Sequence, residues 1–280
     1  MTPLPDWQTL TLPERNAAYN NGLHVGLEYA QQKRDEWAAA SETLRKQRPQ
    51  HLDLAYGPRE RAKWDLYPAS DPSAPCFVHI HGGYWQRGSK EAFACLAEGV
   101  LAHGWSAALP GYTLAPEANL SQIAGEIRAA LDWFAESRKQ HGITGPVILT
   151  GWSAGGHLTS LFADHPAVAA AHAVSGIYDL AHLRDSPHVN DVMKFTDEEL
   201  QTLSPLRLKP ASKRLDISYG SAELPHMIAS SRDYHAYRAG LHLPGDLIPV
   251  TNANHMTVLD EFRKPDGRLT RAMLRLASER

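Results

Sequence analysis

Ser153 stands in Gly151-Trp152-Ser153-Ala154-Gly155, a G-x-S-x-G pentapeptide, and its flanks give it a setting. The run Val147-Ile148-Leu149-Thr150 before it reads as a short buried strand, and His157 to Ala163 behind it reads as a helix. On a sharp strand-to-helix turn the serine hydroxyl is lifted out of the sheet. The helix N-terminus then favours the negative charge that develops when the hydroxyl attacks a carbonyl. Glycines on both sides leave room for close backbone approach. A nucleophile of this kind needs donors for an oxyanion, a base, and a carboxylate that orients the base.

Candidates for each part are present. His79-Ile80-His81-Gly82-Gly83-Tyr84-Trp85 follows directly on a strand-like run, and its glycine pair can turn the backbone so that N–H groups face a cleft. The expected oxyanion donors are the backbone N–H groups of Gly83 and Ala154, with Gly82 assisting. The base should follow the last strand, where Asn252-Ala253-Asn254-His255-Met256 offers His255. For the carboxylate, Glu223 follows the strand ending at Tyr219-Gly220, and Asp179 lies just past the strand Ala169 to Val174. Glu223 is preferred and Asp179 is the alternative acid. Asp216 sits inside its strand and Asp246 at the wrong end of one, so neither fits as well. His79 and His81 form an H-x-H pair, but no further ligand follows at metal spacing, so no metal site is expected. Acyl transfer through serine also needs no cofactor.

The elements that must position these residues follow from hydrophobic periodicity. Residues 1–50 read as a mainly helical arm, with Leu12-Pro13-Glu14-Arg15 as a helix start. The arm is expected to pack over the core or the mouth of a pocket. His51 to Tyr56 and Ala62 to Tyr67 read as an antiparallel pair at a sheet edge. Strands and helices then alternate: Cys76 to Ile80, helix Lys90 to His103, Trp105 to Leu109, helix Leu120 to His141, and Val147 to Thr150 into the elbow. Ala169 to Val174, Leu215 to Tyr219, helix His226 to Ala239, Leu247 to Val250 and helix Arg268 to Leu276 complete the series. This predicts an α/β fold with a mostly parallel central sheet and helices on both faces, in one domain over residues 1–280. The long break from Ala181 to Pro210 is expected to be a small helical cap.

Composition limits the function classes. The chain has 280 residues, 43% hydrophobic and 21% charged, with net charge −3. Its basic residues are scattered, so no nucleic-acid surface is expected. No apolar run approaches a membrane span, and Met1-Thr2-Pro3-Leu4-Pro5-Asp6 lacks the basic and apolar regions of a signal peptide. Cys76 and Cys95 form no disulfide framework and are expected to be reduced, buried thiols in a cytoplasmic protein. The partner expected is a small-molecule substrate, and the sequence is compatible with a homodimer without fixing the oligomeric state.

With these motifs on the page, the chain resembles the α/β-hydrolases that carry an H-G-G-x-W loop, here His81 to Trp85. Within that branch it is similar to the kynurenine formamidases (arylformamidases) and their bacterial esterase relatives. The matching pieces are the loop, Gly151 to His157, the segment Glu223 to Tyr234, and Asn254-His255 with Leu259-Asp260 behind it. The resemblance implies an α/β-hydrolase fold, a Ser–acid–His triad and hydrolysis of N-formylkynurenine to kynurenine and formate. The sequence departs from the family where Glu223 stands in place of the usual Asp. Tyr84, Trp85, Trp152 and Tyr178 lie at strand ends, where ligands bind in such sheets, and are expected to line an aromatic cleft. Two further readings stand beside the formamidase: a carboxylesterase for short acyl chains and a catalytically dead binding module.

Overall fold

The computed structural model describes residues 4–279, so Met1-Thr2-Pro3 of the segment read as lacking a leader lies outside the described residues. Its strands are β1 (Leu54–Ala55), β2 (Lys63–Tyr67), β3 (Cys76–Ile80), β4 (Ser106–Pro110), β5 (Val147–Trp152), β6 (Val168–Val174), β7 (Leu215–Gly220) and β8 (Leu247–Val250). They form one eight-stranded sheet in the order β1-β2-β4-β3-β5-β6-β7-β8. β1–β2 and β2–β4 pair antiparallel and the remaining pairs are parallel. The mostly parallel sheet and the edge hairpin match the reading from periodicity.

Side-chain alternation splits the core between the two faces. Val78 and Leu149 join one apolar cluster, while their neighbours Phe77 and Ile148 join the other. The first face is covered by the helix Leu120–Ser137, through Ile123, Ile127, Leu131 and Phe134, and by the helix behind the elbow. The second is covered by the C-terminal helix Arg268–Ser278 and by the arm helix Leu27–Gln47, through Ala30, Trp37 and Leu44. The arm begins at a capping box, in which Thr11 and Glu14 satisfy each other's backbone N–H groups. An ion pair between Lys33 and Asp260 at 3.0 Å ties it to the C-terminal part of the chain.

Three elements differ from the sequence reading. The helix expected from Lys90 to His103 is broken into Lys90–Phe93, a 3-10 turn at Ala94–Ala97, and Glu98–Ala102. The buried Ser41 hydroxyl of the arm is inserted there: it donates to the Ala92 carbonyl at 3.0 Å and accepts from the Cys95 N–H at 2.9 Å, so the helical ladder is interrupted. β1 is only two residues long, because Asp53 before it turns through a positive φ of 59°. The segment expected as a cap is helical, with Ala181–Arg184, Pro187–Met193 and Asp197–Thr202. Its apolar residues Leu183, Val189, Met193 and Phe195 are buried, so it packs down onto the core and does not stand over the cavity of Ser153.

Candidate active site

The parallel strands deliver their C-terminal ends side by side, and the site residues follow the order of the sheet. Ser153 follows β5, Ser175 follows β6, Glu223 lies in the loop after β7, and His255 in the loop after β8. Ser153 has φ 57° and ψ −116°, a conformation that costs a non-glycine residue energy and persists only where the surroundings enforce it. The enforcement is visible at Gly155: a Cβ there would run into the carbonyl oxygen of Ile80, so the first turn of the elbow helix presses directly on the end of β3.

β3 and β5 are hydrogen-bonded neighbours, and their loops therefore meet. A Cβ on Gly82 would lie 3.2 Å from that of Ser153. Gly83 turns with φ 122°, and a side chain there would collide with the Arg87 carbonyl. Tyr84 and Trp85 continue at φ 53° and 57°. This run of left-handed residues is pinned at several points. The Gly83 carbonyl accepts from the N–H groups of Gln86 and Arg87, at 3.0 and 3.1 Å. The Trp85 carbonyl accepts from the Ala115 N–H at 2.9 Å. His81 donates its Nδ1 proton to the Gly82 carbonyl at 2.9 Å and stacks on Tyr112 at 4.3 Å. Burial pushes its pKa down to about 4, so it stays neutral and anchors the loop. His79 packs between Phe77 and Phe262.

His255 Nδ1 is 2.8 Å from Glu223 Oε2, and both side chains are buried. The other carboxylate oxygen, Oε1, accepts from the Ser175 hydroxyl and the Gly220 N–H, each at 2.6 Å. Glutamate suits this loop for a physical reason. Its extra methylene lets the carboxylate curl back over its own turn to the Gly220 N–H while the second oxygen still reaches the imidazole. Trp152 lies against the imidazole, with ring centroids 4.8 Å apart. Asn254 Oδ1 accepts from the Met256 and Thr257 N–H groups, both at 2.9 Å, which fixes the loop around His255. Asp179, the alternative acid, is engaged elsewhere: it pairs with Arg207 at 3.1 Å and caps the Ala181 N–H. The imidazole's carboxylate partner in this structure is Glu223, not Asp179.

Ser153 and His255 line one cavity of about 240 Å³ together with Gly82, Gly83, Tyr84 and Trp152. Two of the four aromatic residues expected in the cleft are therefore there. Trp85 and Tyr178 are not, which corrects that expectation. Trp85 is fully buried edge-on against His157 and Phe195, and Tyr178 stacks on Tyr234 at 4.4 Å. The positive φ at Trp85 turns its side chain away from the loop's cavity side into the core. The segment 181–210 contributes no lining residue to this cavity. It meets the arm instead, where Asp185 binds both Arg15 and the Trp7 indole N–H.

The remaining wall agrees with the expectation that the arm packs over the mouth of a pocket, although its residues were not named beforehand. It comes from the arm, through Asn21, Gly22, Ala30 and Arg34, joined by Arg87 of the loop. The Tyr84 hydroxyl donates to the Tyr19 carbonyl and accepts from Asn21 Nδ2, so Asn21 Oδ1 is left without a donor among the described residues. Burial pushes the Tyr84 pKa up to about 12, which keeps that hydroxyl protonated. Ser175 was also missed. Its signal was a serine directly after the buried run ending at Val174, a position from which a hydroxyl can reach the next strand's loop.

Comparison with known proteins agrees with this architecture. Residues 65–203 match the BD-FAE family. A kynurenine formamidase of Danio rerio is 28% identical over 80% of this chain and 81% of its own length. A Silicibacter sp. TM1040 protein of known structure, provisionally described as a thioesterase, superposes with a TM-score of 0.81 at 29% identity, over 93% of this chain and 99% of that one. Esterase B of Lactobacillus rhamnosis shares the fold with a TM-score of 0.70 at 19% identity, over 95% of this chain and 97% of its own. The chain has the α/β-hydrolase fold. Among the described residues no helix is long and apolar enough to cross a membrane.

Proposed function

We propose that this α/β-hydrolase, similar to kynurenine formamidases, is a serine hydrolase that removes a formyl group from an aryl amide, N-formylkynurenine being the substrate class to test first. The observation that carries the reading is the 2.8 Å bond between Glu223 and His255 in a cavity that Ser153 also lines. In the mechanism His255 takes the Ser153 proton as Ser153 attacks the formyl carbon. The N–H groups of Gly83 and Ala154, with Gly82, hold the oxyanion. His255 then protonates the departing aniline nitrogen, and water repeats the sequence on the formyl-enzyme to release formate. Glu223 holds the imidazole tautomer and stabilises its cation. No cofactor takes part.

One feature favours a formamide over an ester. The cavity, at about 240 Å³, is small for a ligand site and suits a minimal acyl group beside a flat leaving group. The two buried free thiols fit a reducing compartment, and the reading places the protein in the cytoplasm. The test compares kcat/KM for N-formylkynurenine with that for 4-nitrophenyl acetate and butyrate. A preference for the esters of more than about tenfold, near 1.4 kcal/mol of differential transition-state binding, replaces the formamidase with a carboxylesterase. Failure of a fluorophosphonate probe to label Ser153 leaves only a binding module.

A further inference from the structure

Two arginines reach the cavity from separate elements, Arg34 from the arm helix and Arg87 from the loop beyond Tyr84. Elsewhere guanidiniums near the strand ends are neutralised: Arg45 pairs with Asp65 at 2.9 Å and Arg207 with Asp179 at 3.1 Å. Arg34 gives its Nε and Nη2 to the neutral side chain of Gln31, at 3.2 and 2.7 Å. Arg87 lies over the Tyr84 ring at 5.7 Å. Neither has a carboxylate partner among the described residues. Asp35, a turn away from Gln31, has its Oδ1 bonded to the Gln31 amide at 2.8 Å.

Arg34 is half-buried at the cavity and Arg87 is exposed at its rim, and holding two like charges at one site is unfavourable without an anion between them. The effect is felt within the protein: the Arg34 guanidinium is held below its ordinary pKa by burial first and by the charge of Arg87 second. An entering carboxylate reverses that cost and gains charge-assisted hydrogen bonds. The rest of the wall offers it no competing acid, since Glu223 is already satisfied by His255, Ser175 and Gly220.

We infer that Arg34 and Arg87 form a carboxylate subsite at the cavity of Ser153, so that the enzyme selects substrates with an anionic group on the leaving-group side of the scissile bond. This deepens the proposed hydrolase and rests on Ser153 acting as its nucleophile, but not on the bond being a formamide.

Two matched substrate pairs test it in the full chain. One is N-formylkynurenine and its carboxyl methyl ester; the other is 4-acetoxybenzoate and its carboxyl methyl ester. In the native enzyme the anionic member of each reactive pair should be preferred. In Arg34→Met and Arg87→Met that preference, taken as the ratio of kcat/KM within a pair, should fall about tenfold each, the range of one charge-assisted contact. Arg87→Lys should recover part of the ratio, and raising the salt should shrink it in the native enzyme. Formamides inert but acetates cleaved with the arginine-dependent preference would overturn the formamidase and keep the subsite. Formamides cleaved with a ratio that neither arginine changes would keep the formamidase and overturn the subsite.

Discussion

Around Ser153, the wall made by strand ends and the wall made by the arm are held by different means. At the strand ends the backbone itself is the scaffold. Ser153 is forced to φ 57°, Gly83 to φ 122°, and the elbow helix lies so close to β3 that Gly155 can carry no side chain. On the arm side, position depends on side chains: Tyr84 bonded to Asn21 and to the Tyr19 carbonyl, and Lys33 paired with Asp260. Backbone strain enforced by a packed sheet fixes atoms closely, which is what bond-making requires. Side-chain contacts on a peripheral helix can be exchanged without disturbing the sheet, which suits the choice of substrate. The difference suggests that changes at the strand ends act on kcat and changes at the arm act on KM and selectivity.

The sharpest way to break this division is at its centre. Ser153→Ala should lower kcat by about 10⁴-fold or more, because members of a triad act as a unit, while circular dichroism and Tm stay near those of the native protein. Retention of a tenth of the activity would remove Ser153 from the chemistry. Next in size is the acid. Glu223→Gln should lower kcat by about 10²- to 10⁴-fold, since His255 loses its counter-charge and its tautomer is no longer held. Asp179→Asn, which only weakens a half-exposed pair with Arg207, should stay within about twofold of native activity, as such pairs contribute little. If the two variants rank the other way, the acid has been misassigned.

The same division explains what could be read from sequence. The nucleophile turn, the glycine loop, and the order of strands and helices are written locally, as glycines at fixed offsets and apolar periodicity, so Ser153, Gly82 and Gly83 could be located before any fold was known. His255 and Glu223 followed because strand ends on a parallel sheet converge. Trp85 and Tyr178 were misplaced because sequence puts a residue at a strand end but does not say whether its side chain faces the cleft or the core, where Trp85 meets His157 and Phe195 and Tyr178 stacks on Tyr234. The arm was expected over the core or a pocket mouth, but which of its residues reach the cavity was illegible for another reason. Arg34 looks like ordinary helix surface, and only long-range packing of Leu27–Gln47 against the second face of the sheet brings it beside Ser153, while Asn21 of the preceding short helix is held there by Tyr84. The segment 181–210 was expected as a helical cap from its length and polarity, and it is helical, but that it packs through Leu183, Val189 and Met193 without lining the cavity could not be read from those features.

A smaller effect sharpens the strand-end half of the comparison. Ser175 touches neither cavity nor imidazole, yet its hydroxyl donates to the Glu223 oxygen that does not face His255. It is a positioning residue. Ser175→Ala leaves that oxygen with the Gly220 N–H alone, so Glu223 keeps its charge but loses one of the contacts that aim it. The expected result is a fall in kcat of about three- to tenfold, of the order of one hydrogen bond, with KM unchanged. A rise in KM at constant kcat would show that the change had reached the substrate-facing wall instead.

The smallest expected effect on turnover belongs to the arm, at Tyr84→Phe. The hydroxyl it removes is buried and joins the loop to the arm twice, through the Tyr19 carbonyl and Asn21 Nδ2. Its loss leaves a carbonyl and an amide without their partner, which costs about 1–3 kcal/mol if water cannot enter. That cost falls on the seating of the arm against the loop, not on Ser153, because Gly83 and the elbow are held by the backbone contacts of β3 and β5. The variant should therefore melt several degrees lower and show a KM raised several-fold, with kcat within about twofold of native. The phenyl ring still fills its place beside Gly83 and beneath Arg87, so the oxyanion donors are not expected to move. Stopped-flow kcat and KM on a neutral aryl ester separate the two outcomes. A kcat loss as large as that of Glu223→Gln would mean that the arm also sets the geometry of the reaction, and the division between the two walls would fall.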